Sequence, residues 1–135
     1  MKHLSVLILE DDLETLSVIF KTLHQLEEMA EFYPIVLSTY EQVEKLINQA
    51  NLQFDLILLD RDCAMGGSFH ILNIEKFGID KVIGISSVPE YNSDIVKRGV
   101  KVTIHKEYEN LKLFESKLFN ELQLFIEHIK APQVV

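Results

Sequence analysis

The sequence predicts an α/β fold in which a mainly parallel sheet is covered by helices on both faces. Its 135 residues, of which 47% are hydrophobic, fit one domain with a single buried core. Short continuous apolar runs alternate along the chain with longer segments in which apolar residues recur every three or four positions. This alternation implies right-handed crossovers between parallel strands.

Five apolar runs predict strands, because their short length and β-branched content favour buried strands over helices. They lie at residues 5–9, 35–37, 56–59, 82–85 and 102–104.

Helical periodicity predicts long helices at residues 13–29, at 40–49 and from 111 to about 129. Shorter helices are predicted within 69–77 and 92–98, and each is followed by a glycine, Gly78 or Gly99. The domain is expected to span 1–130, with 131–135 as a flexible tail.

Composition excludes several classes of protein. A net charge of −8 without a basic run argues against direct nucleic acid binding. No apolar stretch approaches the roughly 18 to 20 residues of a transmembrane helix, and the first apolar run is too short for a signal peptide. Cys63 is the only cysteine, which fits a reducing compartment. We therefore expect a soluble, cytoplasmic protein.

Polar residues follow four of the predicted strands. They are Glu10, Asp11, Asp12, Asp60, Asp62, Ser86, His105 and Lys106. Ligands of parallel sheets bind beyond the carboxyl ends of the strands, where these side chains meet. Carboxylates gathered in a crevice repel one another unless a cation is present, and hard oxygen ligands suit Mg²⁺.

Each residue taken alone also has a structural explanation. Asp11 or Asp12 can cap the first helix, and Lys106 can be a solvated surface charge. The convergence of the whole set favours a functional site.

The motifs that carry these residues resemble the receiver domains of bacterial two-component response regulators over about residues 3 to 130. VLILEDD is similar to the family's first strand with its acidic pair, and FDLILLD to the third strand with its acceptor aspartate. VIGISS and VTIHK are similar to the fourth and fifth strands with their hydroxyl residue and lysine. The resemblance implies a flavodoxin-like, three-layer, doubly wound (βα)5 fold with strand order 2-1-3-4-5.

The resemblance also implies a function. A phosphohistidine on a sensor histidine kinase or phosphotransfer protein would donate its phosphoryl group to Asp60. Lys106 would pair first with Asp60 and then with a phosphoryl oxygen, and Ser86 would donate a hydrogen bond to another. Asp11, Asp60 and the backbone carbonyl of Asp62 would hold Mg²⁺, with Glu10 orienting a coordinated water. Two roles stay open for the Asp62 side chain, that of a further ligand of the ion and that of a carboxylate that only faces water.

By the same resemblance, the output would pass through contacts with a downstream protein. The only chemistry would be self-phosphorylation and autodephosphorylation, so the chain would not be an enzyme. The family often dimerises through the fourth helix, fifth strand and fifth helix, which makes a homodimer one alternative and a monomer the other.

Several positions depart from the family pattern. Thr103 stands where many members carry an aromatic switch residue, and Glu107 replaces the usual proline after the lysine, so a trans peptide is expected there. The loop at 63–67 is altered, and the spacing predicts short third and fourth helices.

Two other functions compete with this interpretation. A pseudo-receiver would keep the fold and dock partners without being phosphorylated, which the altered loop and missing proline favour. A haloacid-dehalogenase-type phosphatase would use Asp60 and Asp62 as its Asp-x-Asp pair. Ala64, the unexplained Glu10 and Asp11, and the lack of a later acidic pair count against the phosphatase.

Overall fold

The computed structural model describes residues 2–63 and 65–129, so the predicted tail at 131–135 lies outside the described residues. The chain forms one sheet whose strands are β1 (Lys2–Leu9), β2 (Ala30–Leu37), β3 (Leu56–Leu59), β4 (Val82–Ser86) and β5 (Val102–His105). All neighbouring strands are parallel and lie in the order β2-β1-β3-β4-β5. The predicted fold class and strand order are confirmed.

Five helices connect or follow the strands. They are α1 (Leu13–Gln25), α2 (Tyr40–Gln42), α3 (Ile74–Phe77), α4 (Pro89–Lys97) and α5 (Leu111–His128). A π-helical turn (Val43–Ile47) extends α2, and 3₁₀ turns (Phe69–Ile71 and Ile79–Lys81) flank α3. The third helix is therefore short, as predicted, whereas α4 is longer than the range predicted for the fourth helix.

The core consists of two apolar layers, one on each face of the sheet. Leu58 of β3 packs in the layer that α1 and α5 cover, whereas its neighbours Ile57 and Leu59 pack beneath α2, α3 and α4. All four residues of β3 are buried, because side chains that alternate in direction meet helices on both sides. This explains why central strands appear in the sequence as continuous apolar runs.

The connection between α1 and β2 differs from the prediction. Helix α1 ends at Gln25 rather than at residue 29, and β2 begins at Ala30 rather than at 35. β2 pairs with β1 along its whole length. As an edge strand it leaves half of its residues outside the core, so it lacks the continuous apolar run that marks the central strands.

Helix α4 begins at Pro89, three residues before the predicted start. Proline suits the first helical turn because its missing N–H would have no partner inside the helix. Gly99, just after this helix, has a φ of 104°, which favours glycine over any residue with a side chain. No helix in the described residues is long and apolar enough to cross a membrane.

Candidate functional site

A buried lysine joins two carboxylates at the carboxyl edge of the sheet. The Lys106 Nζ donates hydrogen bonds to Glu10 Oε2 at 2.9 Å and to Asp60 Oδ2 at 3.0 Å. Only 2% of the surface of Lys106 is exposed, with 0% for Glu10 and 4% for Asp60. Charged groups are rarely buried to this degree unless they are paired, so the three groups form one electrostatic unit.

The strands place this unit through their backbones. The Asp60 amide donates to the Leu9 carbonyl at 3.1 Å, and the Lys106 amide donates to the Ser86 carbonyl at 2.8 Å. The Arg61 amide donates to Asp60 Oδ1 at 2.8 Å and fixes the carboxylate further. Both oxygens of Asp60 are therefore held by hydrogen bonds in the resting protein.

The two aspartates after Glu10 have different positions. Asp12 caps α1, because its Oδ2 accepts a hydrogen bond from the Thr15 amide at 2.9 Å. Asp11 instead joins Glu10 and Asp60, and one oxygen of each of these three carboxylates lies within 4.8 Å of the others. The predicted assignment of the acidic pair to Glu10 and Asp11 thus agrees with the geometry.

Burial and mutual repulsion change the protonation of the unit. Burial raises the pKa of Glu10 to about 7, and the nearby charge of Asp60 adds to this shift while Lys106 opposes it. Burial likewise raises the pKa of Asp60 against the opposing effect of Lys106. Burial alone would lower the pKa of Lys106, but the two carboxylates raise it above its ordinary value. The lysine therefore stays charged.

The donor set fits a hard divalent cation. Three carboxylates face one ammonium group, so the ionised site keeps an excess of negative charge that a cation would balance. Glu10 Oε1 accepts from the Asp12 amide at 3.1 Å, and Oε2 accepts from Lys106. Glu10 is fully buried, whereas Asp11 and Asp60 line the open cleft, so Asp11 and Asp60 are the carboxylates best placed to bind a metal directly.

Asp62 lies apart from this cluster. Its side chain is 63% exposed, and its Oδ1 accepts from Arg61 Nη1 at 3.0 Å. The sequence left open whether this carboxylate binds a metal or faces water, and its exposure favours the second. The adjacent Cys63 is buried, its thiol donates to the Gly66 carbonyl at 3.1 Å, and burial raises its pKa. These features favour a structural role for the thiol over a redox-sensitive one.

An open cleft of about 520 Å³ leads to the buried unit. The residues that line it are Asp11, Asp12, Leu13, Asp60, Asp62, Ser87, Lys106 and Tyr108. Ser87 lines the cleft, whereas the predicted hydroxyl residue Ser86 is buried and its Oγ accepts from the Val88 amide at 3.1 Å. Sequence reasoning did not single out Leu13 or Tyr108, because exposed rim residues have no distinctive spacing.

Helix α4 is attached to its surroundings at three points. The Arg61 guanidinium lies over the ring of Tyr91 in its first turn. Asn92 Nδ2 donates to the Ile104 carbonyl of β5 at 3.3 Å. Arg98 donates from Nη1 to the His70 carbonyl at 2.7 Å and from Nη2 to the Leu72 carbonyl at 3.0 Å. The helix is thus tied both to the loop after β3 and to the last strand.

A second concavity, of about 690 Å³, lies between α4 and β5. Thr103 and His105 line it from the strand, and Asn92 and Val96 line it from the helix. His105 therefore points away from the buried unit, as strand alternation predicts. The described residues contain no cis peptide bond, so the peptide between Lys106 and Glu107 is trans, as expected.

Comparison with solved structures identifies the architecture. The Mn²⁺-bound response regulator Rcp1 superposes with a TM-score of 0.76 at 14% identity, covering 96% of this chain and 99% of that chain. The phosphorylated cyanobacterial phytochrome response regulator RcpA gives a TM-score of 0.71 at 15% identity, over 97% and 99%. The receiver domain of sensor histidine kinase PA1611 from Pseudomonas aeruginosa PAO1, with a magnesium ion in its cleft, gives 0.61 at 16%, over 93% and 98%.

The chain has the fold of a response regulator receiver domain. The likeness covers nearly the whole described sheet and its helices, and it agrees with the resemblance found in the strand motifs. No protein-family profile and no curated protein matches the sequence. The receiver fold is therefore established by structure at low sequence identity, and the chemistry has to be argued from this chain's own site.

Proposed function

We propose that this chain is a phosphoacceptor receiver domain that takes a phosphoryl group onto Asp60 and signals through protein contacts. The observation that carries the proposal is the buried contact of Lys106 with Asp60 and Glu10 beside Asp11. A lysine buried between two carboxylates at the base of an open cleft is expensive to maintain for stability alone. The arrangement is explained if a negatively charged phosphoryl group is transferred to Asp60, because Lys106 can then neutralise part of its charge.

The reaction requires little covalent chemistry from the protein. A carboxylate oxygen of Asp60 attacks the phosphorus of a phosphohistidine, the P–N bond breaks, and the imidazole nitrogen keeps the electron pair. Lys106 holds Asp60 ionised before transfer and then neutralises charge on a phosphoryl oxygen. The Arg61 amide keeps the carboxylate oriented for in-line attack.

Asp11 and Asp60 would hold Mg²⁺ together with the backbone carbonyl of Asp62, and Glu10 would orient a coordinated water. When bound, the ion screens the acidic cleft and balances charge on the transferring phosphoryl oxygens. The solved structure of Rcp1 contains Mn²⁺ and that of the PA1611 receiver domain contains a magnesium ion, which supports a divalent ion at the corresponding cleft. The short distances between the three carboxylates support a divalent ion independently.

A change in the hydrogen bonds of Lys106 and Ser86 would carry the signal away from Asp60. The Lys106 amide and the Ser86 carbonyl already join β5 to β4, so a shift of either residue moves both strand ends. Thr103 has no aromatic ring to reorient, and backbone movement of α4 and β5 takes its place. Amide NMR spectra should therefore change around residues 86–106 when Mg²⁺ and beryllofluoride are added, and unchanged spectra would refute this route.

The partners follow from the chemistry. The donor would be a sensor histidine kinase or a histidine phosphotransfer protein, and the output would be a downstream protein rather than nucleic acid. We expect only self-phosphorylation and autodephosphorylation, in a cytoplasmic setting. Light scattering with and without the phosphoryl mimic tests for a homodimer through α4, β5 and α5.

The direct test is mass spectrometry after incubation with phosphoramidate or acetyl phosphate and Mg²⁺. The wild-type protein should gain one phosphoryl group at Asp60, and the Asp60→Asn variant should gain none. Chelation of Mg²⁺ should remove the adduct from the wild type. A wild-type protein without a Mg²⁺-dependent adduct would refute the proposal.

One observation favours a second candidate, the unphosphorylated pseudo-receiver. Glu10 and Lys106 already form a buried ion pair, so part of the acidic charge is balanced without any metal. The same experiment separates the two candidates, because the pseudo-receiver predicts no adduct at Asp60. Turnover of small phosphate esters would instead support the phosphatase alternative.

A further inference from the structure

The ammonium group of Lys106 has a third neighbour besides its two carboxylates. The Lys106 Nζ lies 5.1 Å from the centroid of the Tyr108 ring. A lysine ammonium at this distance from an aromatic ring is within the range of a cation–π contact. The Lys106 ammonium donates hydrogen bonds to Glu10 and Asp60, and Tyr108 lies beside it with a hydroxyl group that, in addition to the two carboxylates, raises the pKa of the lysine.

The backbone, rather than the core, determines the position of Tyr108. The Asn110 amide donates to the Glu107 carbonyl at 3.0 Å, so Tyr108 lies within a tight turn. Asn110 then caps α5 through its side chain, which accepts from the Leu113 amide at 3.2 Å. Tyr108 itself is 50% exposed, so apolar burial does not account for its orientation against Lys106.

Tyr108 also lines the cleft that leads to Asp60. Any phosphoryl group that reaches Asp60 through this cleft passes Tyr108 as well as the acidic residues that line it. The ring is therefore part of the wall from which Lys106 must reach the incoming oxygen.

We propose that Tyr108 is a positioning residue for phosphoryl transfer, whose ring keeps the Lys106 ammonium directed into the cleft while its partner changes. This inference rests on the proposed function of Asp60. When an Asp60 oxygen forms its bond to phosphorus, Lys106 exchanges that carboxylate for a phosphoryl oxygen and retains all its protons. The contact with the ring does not depend on either oxygen, so it persists through the exchange.

The proposal makes the face of the ring the part of Tyr108 that positions Lys106, while the hydroxyl group, in addition to the two carboxylates, helps to raise the pKa of the lysine. Phenylalanine keeps that face, whereas leucine keeps much of the apolar volume but has no quadrupole to attract a cation. Tyr108→Phe should therefore keep the positioning effect of the ring, and Tyr108→Leu should lose it. Tyr33→Leu serves as the matched control, because Tyr33 is similarly exposed but lies on the edge strand β2.

Two measurements test the proposal. The first is the side-chain ¹H–¹⁵N NMR resonance of the Lys106 ammonium in the resting protein. A ring-current shift should appear in the wild type, in Tyr108→Phe and in Tyr33→Leu, and should be lost in Tyr108→Leu. The second is the rate of Mg²⁺-dependent phosphorylation by phosphoramidate, which should fall about fivefold in Tyr108→Leu alone.

The possible results separate this inference from the function on which it rests. If the wild type forms no adduct at Asp60, the proposed function fails and the role of Tyr108 in transfer fails with it. If the wild type is phosphorylated but Tyr108→Leu keeps both the resonance and the rate, only the role of Tyr108 is overturned. Loss of the rate in Tyr108→Phe as well would overturn the assignment to the ring face.

Discussion

The guanidinium carbon of Arg61 lies 4.2 Å from the centroid of the Tyr91 ring. The backbone amide of the same arginine donates to Asp60 Oδ1 at 2.8 Å. One residue therefore contacts the proposed acceptor through its main chain and the first turn of α4 through its side chain. This connection does not pass through Thr103, the position at which an aromatic switch residue is missing.

Loss of the Tyr91 ring should weaken the response of α4 to events at Asp60. In Tyr91→Leu, the amide shift changes that Mg²⁺ and beryllofluoride produce in α4 should become smaller, while those next to Asp60 remain. The free energy of unfolding should fall by about 0.5–1 kcal/mol, because an exposed cation–π contact is lost. Tyr91→Phe is the control and should retain the response. A full response of α4 in Tyr91→Leu would contradict this connection.

Arg98→Lys should destabilise the protein although the charge is kept. The guanidinium donates from two nitrogens to the carbonyls of His70 and Leu72, at 2.7 and 3.0 Å, and one ammonium cannot reproduce that fork. We expect the free energy of unfolding, measured in urea, to fall by about 1–2 kcal/mol. Lys97→Ala, on the same helix and exposed, should change it by less than about 0.5 kcal/mol. Equal effects of the two substitutions would show that the fork is not stabilising.

His70 should make the protein sensitive to acid. Burial lowers its pKa from 6.5 to about 4, assisted by the charges of Arg98 and Arg61, while Asp94 and Asp62 oppose the shift. The unfolded chain then binds more protons than the folded chain between these two values. This contribution to stability is complete above pH 6.5 and is lost as the pH falls towards 4.

The His70→Asn variant should therefore lose less stability than the wild type between pH 6.5 and 4. We expect the difference between the two unfolding free energies to change by up to about 2 kcal/mol across this range. Urea unfolding at a series of pH values measures it directly. If the unfolding free energy of His70→Asn changes with pH as steeply as that of the wild type, His70 is not buried in its neutral form.

Mg²⁺ should stabilise the protein through the acidic cluster. At a free concentration about ten times its Kd, the ion should raise the free energy of unfolding by about 1.4 kcal/mol. Asp11→Asn should abolish most of this increase, because it removes one of the carboxylates placed for direct binding. Glu14→Gln, an exposed acidic residue in the first turn of α1, is the matched control and should keep the full increase. Loss of the effect in both variants would indicate nonspecific screening.

The central part of the fold is predictable because its strands are buried on both faces. The runs ending before Glu10 and Asp60 are apolar and buried from Val6 to Leu9 and from Leu56 to Leu59, and polar residues after them mark the carboxyl edge of the sheet. The edge strand is less predictable. Tyr33 and Pro34 are exposed within β2, so the apolar signal there fades over most of its length.

The contacts around the site are harder to derive from sequence. Lys106 pairs with Glu10 as well as Asp60, and this pairing depends on how closely the carboxyl ends of β1 and β5 approach across β3 and β4. Arg98 donates to backbone carbonyls, and because every residue has a carbonyl, the residue type does not predict which one Arg98 contacts. The orientation of Ser86 away from the cleft likewise depends on the local turn before α4.

The three-point attachment of α4 has a thermodynamic consequence for any protein that binds there. If phosphorylation of Asp60 changes the affinity of α4 for a partner, the partner must change the free energy of phosphorylation by the same amount. The contacts of α4 that would transmit such changes, in both directions, are those made by Arg61, Asn92 and Arg98. A downstream partner would then be more than a passive recipient, because its concentration would help to set how much of the protein stays phosphorylated.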